Sequence, residues 1–211
     1  ARPDAVTFAN KQNIISPRLF ELDVDQLKQS LAGAPKRFAS NAASNIIVSF
    51  PNAQGQIEKF RVKESSNMDP ALAAKYPDIK SYIGQGVDTP TSTIYFSLSP
   101  LGLQTMVVKA DQSAEFIEPY KTDLSSYVVY RKTDKLATLD SFQCKVIQSA
   151  QADLTSTIAA RPNADDATLR TFRLAMSVTG EYTVYFGGTK ALALAAINNT
   201  MTRVNGVFEK D

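Results

Sequence analysis

The amino-acid sequence predicts an α+β protein whose main part is an antiparallel β-sheet, rolled or folded into a sandwich, with a few short helices. Short segments of alternating apolar and polar residues recur along residues 46–147, and such alternation is typical of strands with one buried face. Turn residues separate these segments, and no long helical segment connects them. Strands joined in this way pair antiparallel. At 211 residues, the chain is long enough to bury a core.

The composition excludes several classes of site and partner. The chain has no histidine and one cysteine, so its residues cannot form a Ser-His-Asp site, an internal disulfide or a histidine-ligated zinc site. Its 23 basic and 21 acidic residues are spread along the sequence, with a net charge of +2. No basic cluster indicates binding to nucleic acid or to a membrane surface. No apolar segment approaches the roughly 20 residues of a membrane span.

The N-terminal elements are a short strand, an amphipathic helix and a hairpin. Residues 18–22 predict the strand. Residues 23–35 predict the helix, because apolar residues recur at helical spacing until a glycine and a proline end the pattern. Residues 46–50 and 56–62 predict the hairpin, in whose polar turn Gly55 can take a positive φ.

The central stretch, residues 60–86, contains a strand, a short helix and a second strand. Asp69 followed by Pro70 is typical of a helix start, since the carboxylate accepts hydrogen bonds from first-turn amides and proline has no N–H to satisfy. Pro77 ends this helix, and the chain becomes extended again. The glycines on either side of Gln85 predict a turn or a bulge.

The strands continue after this stretch. Residues 93–99 and 103–109 predict a second hairpin, because Pro100 presets φ in the turn and Gly102 relaxes it. Tyrosines along the strands are interpreted as packing residues rather than as a binding platform. Further strands are predicted at residues 115–118, 126–131 and 139–147.

The character of the sequence changes after the last of these strands. Residues 149–168 are rich in Ala, Ser, Thr, Asn and Asp and lack apolar periodicity, so they predict an exposed linker. Arg161 lies inside this linker and Arg170 just after it. Both are predicted cleavage positions for an activating protease.

The C-terminal segment predicts one strand and one helix. Residues 170–178 alternate like a strand, and residues 189–204 have helical spacing. Asn205-Gly206 is predicted to close the helix, and residues 207–208 to begin another strand. One strand and one helix cannot bury their faces alone, so we expect the start of a further domain. The predicted organisation is a β-rich domain at 1–148, a linker at 149–168 and an incomplete domain at 169–211.

Three blocks of the sequence resemble the precursors of bacterial reprolysin-like (adamalysin-type) zinc metalloproteases. The first is LFELDVDQLKQSLAGAP. The second is FRVKESSNMDPALAAKYPDIKSYIGQGVD, with its continuation TIYFSLSPLGLQTMV and FIEPY. The third, TFRLAMSVTGEYTVYFGGTKALALAAINNTMTRVNGVFEKD, looks like the first strand and helix of an α/β metzincin-like protease domain. Together the blocks span nearly all of the chain.

The resemblance implies that this chain is the pro-segment of a secreted or cell-surface bacterial zinc metalloendopeptidase. Such a segment keeps the protease latent and assists its folding until the linker is cut. Its partners would be its own catalytic domain and the activating protease, and zinc would be the cofactor of the full-length protease. The family's HExxHxxGxxH zinc helix does not occur in these 211 residues, so we do not expect this chain to hydrolyse peptides by itself.

The resemblance also implies a role for Cys144, which precedes the third block. In several such families a propeptide thiolate occupies the zinc position that the attacking water needs. Its sulfur would then lie about 2.3 Å from zinc. Two features leave the alternative open. Lys145 stands where the better-known switch has glycine, and Phe142, Cys144 and Val146 share one strand face, where a free cysteine packs as a small hydrophobe.

Other interpretations of the same residues also stay open. Latency needs no thiol if an extended propeptide segment crosses the active-site cleft. Asp165-Asp166 either directs a carboxylate to the metal or carries solvated linker charges. Gly187-Gly188 predicts a tight turn rather than an anion site. Carboxylates beside turns and caps are interpreted as structural rather than as a hydrolase pair: Glu64, Asp69, Asp78, Asp88 and Glu118.

Two rival functions belong to other classes. One is an independent β module that binds carbohydrate or protein. The other is a structural or adhesive secreted domain, which is favoured if residues 170–211 pack back onto the β-sheet and complete a single core. Neither rival needs a protease partner.

Overall fold

The computed structural model describes residues 13–15, 17–39, 43–111, 113–135 and 172–209. The chain divides into two compact units, one formed by Ala1–Ala137 with Thr179–Asp211 and the other by Thr138–Val178. In the second unit, residues 172–178 are described and form neither helix nor strand. The strand predicted there is therefore wrong over these residues, because alternation produces a strand only where a neighbouring strand supplies hydrogen bonds.

The first unit is built on one antiparallel sheet of eight strands. These are β1 (Arg18–Phe20), β2 (Ile47–Pro51), β3 (Ile57–Glu64), β4 (Lys80–Gly86), β5 (Thr93–Ser99), β6 (Gly102–Val108), β7 (Ala114–Pro119) and β8 (Tyr127–Arg131). Their order in the sheet is β1-β8-β7-β6-β5-β4-β3-β2. From β2 to β8 each strand pairs with the next, as short turns require. The predicted mainly antiparallel β class is confirmed, in its rolled form.

The described residues also contain the helices α1 (Val24–Leu31), α2 (Pro70–Lys75), α3 (Gly180–Tyr185) and α4 (Lys190–Phe208), with a 3₁₀ turn at Lys132–Asp134. The predicted helix starts are confirmed, since Asp23 and Asp69 accept hydrogen bonds from first-turn amides of α1 and α2. Within the described ranges, no helix combines the length and apolar character that a membrane span requires.

The predicted end of α4 is wrong. The helix continues through Asn205 and Gly206 to Phe208, so residues 207–208 are helical and do not begin a strand. Gly206 does not have a positive φ, and it serves close packing inside the helix. The helix begins as predicted at Thr189, whose hydroxyl accepts the Leu192 N–H at 3.2 Å.

The sheet is strongly curled, and its concave inner face encloses the main apolar core. Large buried side chains from several strands meet there, including Phe60, Ile94, Phe96 and Tyr127, and α1 adds Leu31. At one end the curl brings the sheet edges together. Arg18 on β1 lies 3.0 Å from the position that a Cβ on Gly55, in the β2–β3 turn, would occupy.

Tyr82 shows how closely the inner face is packed. Its ring stacks on Phe96 with centroids 4.9 Å apart. Burial, followed by the negative charge of Glu64, raises the pKa of Tyr82 to about 12. Beside it on β4, a Cβ on Gly84 would lie 2.7 Å from Val62 and 2.9 Å from Ile94. The glycines flanking Gln85 therefore serve close packing in a regular ladder, and the turn or bulge predicted there is wrong.

A buried carboxylate fastens the β2–β3 turn to the far side of the sheet. Glu115 on β7 accepts the Ala53 N–H at 3.0 Å and lies 3.0 Å from Lys109 Nζ. Lys109 is also 3.3 Å from Glu58. Burial alone lowers the pKa of Lys109, but hydrogen bonds to these two carboxylates and their charges raise it overall.

Candidate functional site

The outer face of the sheet, opposite the main core, is covered by α4, which packs against β4, β5 and β6. With a layer on each side, β5 is buried on both faces from Ile94 to Ser99. Its inner-face side chains are apolar, whereas Tyr95, Ser97 and Ser99 point to the outer face. The surface that receives the helix is thus rich in hydroxyl groups.

We term the outer-face residues that contact α4 the helix seat. Each of them is at most 7% exposed. The helix seat comprises Ser81, Tyr95, Ser97, Met106 and Glu118.

One group of contacts is a network of uncharged polar side chains. The Ser81 hydroxyl donates to Asn198 Oδ1 at 3.0 Å and lies 2.9 Å from Thr202 Oγ1. Asn67, in the loop between β3 and α2, donates to Thr202 Oγ1 at 2.8 Å. Its own Oδ1 accepts from Asn205 Nδ2 at 2.9 Å. Three positions of α4 are therefore held by hydrogen bonds to two neighbouring segments.

The helix also approaches the middle of the sheet very closely. The Ser97 hydroxyl donates to Asn199 Oδ1 across the interface. Towards the C-terminal end of α4, a Cβ on Gly206 would lie 2.7 Å from Met106 Cε and 2.8 Å from the Tyr95 ring. Only glycine leaves the room that this approach needs.

A buried charge pair forms the third part of the contact. Arg203 Nη2 donates to Glu118 Oε1 at 2.5 Å and to the Thr105 carbonyl at 3.4 Å, and its guanidinium lies over the Phe116 ring at 5.2 Å. The Tyr130 hydroxyl donates to the other Glu118 oxygen at 2.9 Å. Burial lowers the pKa of Arg203 and raises the pKa of Tyr130.

Several buried donors of α4 have no partner within the part of the chain that the structure describes. They are Asn198 Nδ2, Asn199 Nδ2 and Arg203 Nε. Buried polar atoms are normally paired, because an unpaired one loses its bonds to water and gains nothing in return. Beside two of these residues, Gln104 and Phe186 help to line a cleft of about 240 Å³. The contact between α4 and the sheet is extensive, but among the described residues not all of its buried hydrogen-bond donors are paired.

The predicted site residues fall mostly outside the described residues. Cys144, Arg161, Arg170, Asp165-Asp166 and the linker at 149–168 all lie there, so their roles stay predictions. Across the described ranges, no group of three or more His, Cys, Asp or Glu side chains comes together as a metal site.

Other residues singled out from the sequence are described, and their contacts agree with the structural interpretation. Asp69 caps α2, and Glu64 pairs with Lys80 Nζ at 3.4 Å. Gly187 and Gly188 have φ values of 105° and 80° and form the turn between α3 and α4. Glu118 is structural as well, but it acts in the helix seat rather than at a turn.

The residues that hold α4 were not predicted from the sequence. Ser81, Ser97 and Arg203 gave no sign of their role, because a serine on the polar side of a strand and an arginine on a helix are both common at surfaces. Asn198 and Asn199 carried a weak signal. Asparagine is unfavourable in a helix interior, so two in succession there suggest side chains with specific partners.

Comparisons with protein-family models, with curated proteins and with solved structures find no match for this chain.

Proposed function

We propose that residues 1–148 are a pro-segment that holds the first elements of a reprolysin-like zinc metalloendopeptidase, keeping the protease latent and assisting its folding until the linker at 149–168 is cut. The observation that carries the proposal is the position of α4. This helix belongs to the block that resembles the protease, and it lies in the helix seat of the block that resembles the propeptide.

Exposed apolar side chains support the assignment of α3 and α4 to a larger domain. In residues 172–178, the large apolar residues Phe172, Leu174 and Met176 alternate with smaller or polar residues and are 84%, 63% and 47% exposed. Such a pattern is buried when a sheet forms around it. Further exposed apolar residues lie on α3 and at the end of α4: Val184, Tyr185, Val207 and Phe208.

The tether between the two parts explains how cleavage would activate the protease. A segment joined through a short linker meets its partner at an effective concentration of roughly millimolar order. Cutting at Arg161 or Arg170 removes the tether, so a contact of moderate strength no longer keeps the parts together. We propose that the precursor carrying this tether is secreted or lies at the cell surface.

Zinc in this proposal belongs to the protease domain and not to the chain described here. The chain has no histidine and one cysteine, and these residues do not fit a zinc site of their own. Cys144 is the residue proposed to reach the protease zinc. The helix seat does not depend on that contact.

Co-expression of residues 1–168 with the catalytic domain, followed by a peptidase assay, tests the proposal. We expect inhibition. Ser97→Leu removes a hydrogen bond to α4 and fills its space, so it should weaken inhibition by about tenfold or more. Ser30→Leu, at an exposed position of α1, is the matched control and should inhibit like the parent. Full peptidase activity beside folded parent residues 1–168 contradicts the proposal.

A second candidate function is favoured by one observation. Thr179–Asp211 lies in the same compact unit as the sheet, as expected for a stand-alone secreted β-rich module with a binding or adhesive role. Under this alternative, the chain binds its target without any protease, and residues 1–168 leave the peptidase unaffected. The same assay therefore separates the two candidates.

A further inference from the structure

We infer that α4 is a releasable element, which leaves the helix seat and returns to it as a unit while the sheet stays folded. The inference deepens the proposed function and rests on it for its purpose, because a pro-segment must release the domain that it holds. Its physical basis is independent, and its test uses the 211-residue chain alone.

The buried face of α4 is made of small and polar residues. Its buried positions are Ala193, Ala195, Ala196, Asn198, Asn199, Thr202 and Gly206, without a large apolar side chain among them. The hydrophobic stabilisation of a contact scales with the apolar area removed from water. The larger apolar residues of α4, such as Leu192, Ile197 and Met201, are only half-buried. Docking of α4 therefore gains less from this effect than the inner face does, where phenylalanine, isoleucine and tyrosine are buried.

Release restores hydrogen bonds that docking denies. While α4 is docked, the amide nitrogens of Asn198 and Asn199 and Arg203 Nε have no partner among the described residues. In water each of them would be solvated. The hydroxyls of Ser81, Ser97 and Thr202 also exchange protein partners for water at little net cost. Polar contacts of this kind make docking specific while the free energy needed for release stays small.

The sheet does not need α4 for its own core. The main core cluster draws its side chains from α1 and the strands, and none of its members lies in α4. On the outer face, Tyr95, Met106 and Val108 form a small apolar cluster of their own. Release would expose part of this cluster to water. The cost of that exposure favours the return of α4 to the helix seat.

Hydrogen exchange of the intact chain, followed by mass spectrometry of its peptides, tests release directly. Amides within residues 193–206 should exchange about 100-fold faster than those of β5 and β6, because α4 detaches without global unfolding and a single detached helix of 19 residues frays in water. An α4 that exchanges within about threefold of β5 moves only with the whole sheet, and this result would overturn the inference.

A reversible disulfide between α4 and the sheet provides the matched control. The side-chain oxygens of Ser81 and Thr202 lie 2.9 Å apart, so Ser81→Cys with Thr202→Cys, in a Cys144→Ser background, should form a disulfide with oxidised glutathione. Oxidation should slow exchange of α4 by at least about tenfold, whereas the reduced form should exchange like the parent. If the disulfide forms and exchange is unchanged, α4 unravels in place and is not released. If the peptidase assay shows no inhibition, the result expected from the exchange experiment stays the same.

Discussion

At the scale of single residues, Gly206 decides how closely α4 approaches the sheet. An added Cβ would meet the Tyr95 ring and Met106 Cε at distances that real Cβ atoms do not show. Methionine can bend away, but the rigid ring of Tyr95 is buried beside Met106 and Val108. The local sequence predicts a helix end at Gly206, but the reason for glycine there is its contact with a distant strand.

Gly206→Ala tests this explanation. Alanine favours the helix by about 1 kcal/mol, but we expect overpacking against Tyr95 to outweigh it and to weaken docking of α4 by about 1–3 kcal/mol. The measurement is the amide exchange rate across residues 190–208. Gly180→Ala is the control, because a Cβ there has open space around it. Slower exchange in Gly206→Ala than in the parent would show that the approach is not tight.

At the scale of elements, the Arg203–Glu118 pair joins α4 to β7. The Glu118 side chain is 6% exposed and that of Arg203 is 28% exposed. Removal of one partner leaves the other buried without its countercharge, which costs more than removal of both. The pair therefore makes the position of α4 specific, whatever its net contribution to stability is.

A double-mutant cycle measures this coupling. Glu118→Gln should lower the free energy of unfolding by about 3 kcal/mol, and Arg203→Met should lower it too. The double variant should lose clearly less than the sum of the two, because neither charge is then stranded. Urea denaturation monitored by tyrosine fluorescence gives the three values. Additive losses would mean that the two side chains do not depend on each other.

At the scale of the whole molecule, the chain joins a sheet with its own core to a helix held by polar contacts. Covalent connection keeps the two together at high effective concentration. The strength of the non-covalent contact alone becomes visible only after the connection is cut. The predicted cleavage positions Arg161 and Arg170 offer that cut.

Limited trypsin digestion of the chain should cut first at Arg161 or Arg170, because both lie in or just after the segment predicted to be exposed and to lack regular structure. We expect the two fragments to co-elute in size-exclusion chromatography at tens of micromolar and to separate on dilution below about one micromolar. Mass spectrometry of the fractions identifies the fragments. Fragments that stay together at nanomolar concentration would show that α4 is a permanent part of the fold.

Much of the first unit was predictable from residues close together in the chain. Asp23 and Asp69 predict helix starts, and Pro100 with Gly102 predicts a hairpin, because caps and turns depend on a few neighbouring residues. Local rules failed where distant residues decide. Gly84 lies in a regular strand, and glycine is needed there because Val62 and Ile94 leave no room for a Cβ. Residues 172–178 lack a strand partner among the described residues.

The sequence by itself determined the antiparallel pairing of successive strands and the side chains of the inner face, since alternation and turn residues act over short distances. Only the tertiary structure decided that α4 covers the outer face and that Ser81, Ser97 and Glu118 hold it. The physical reason is that hydrophobic burial leaves a periodic pattern in the sequence. Hydrogen bonds between Ser, Asn and Thr side chains far apart in the chain depend on three-dimensional fit and leave none.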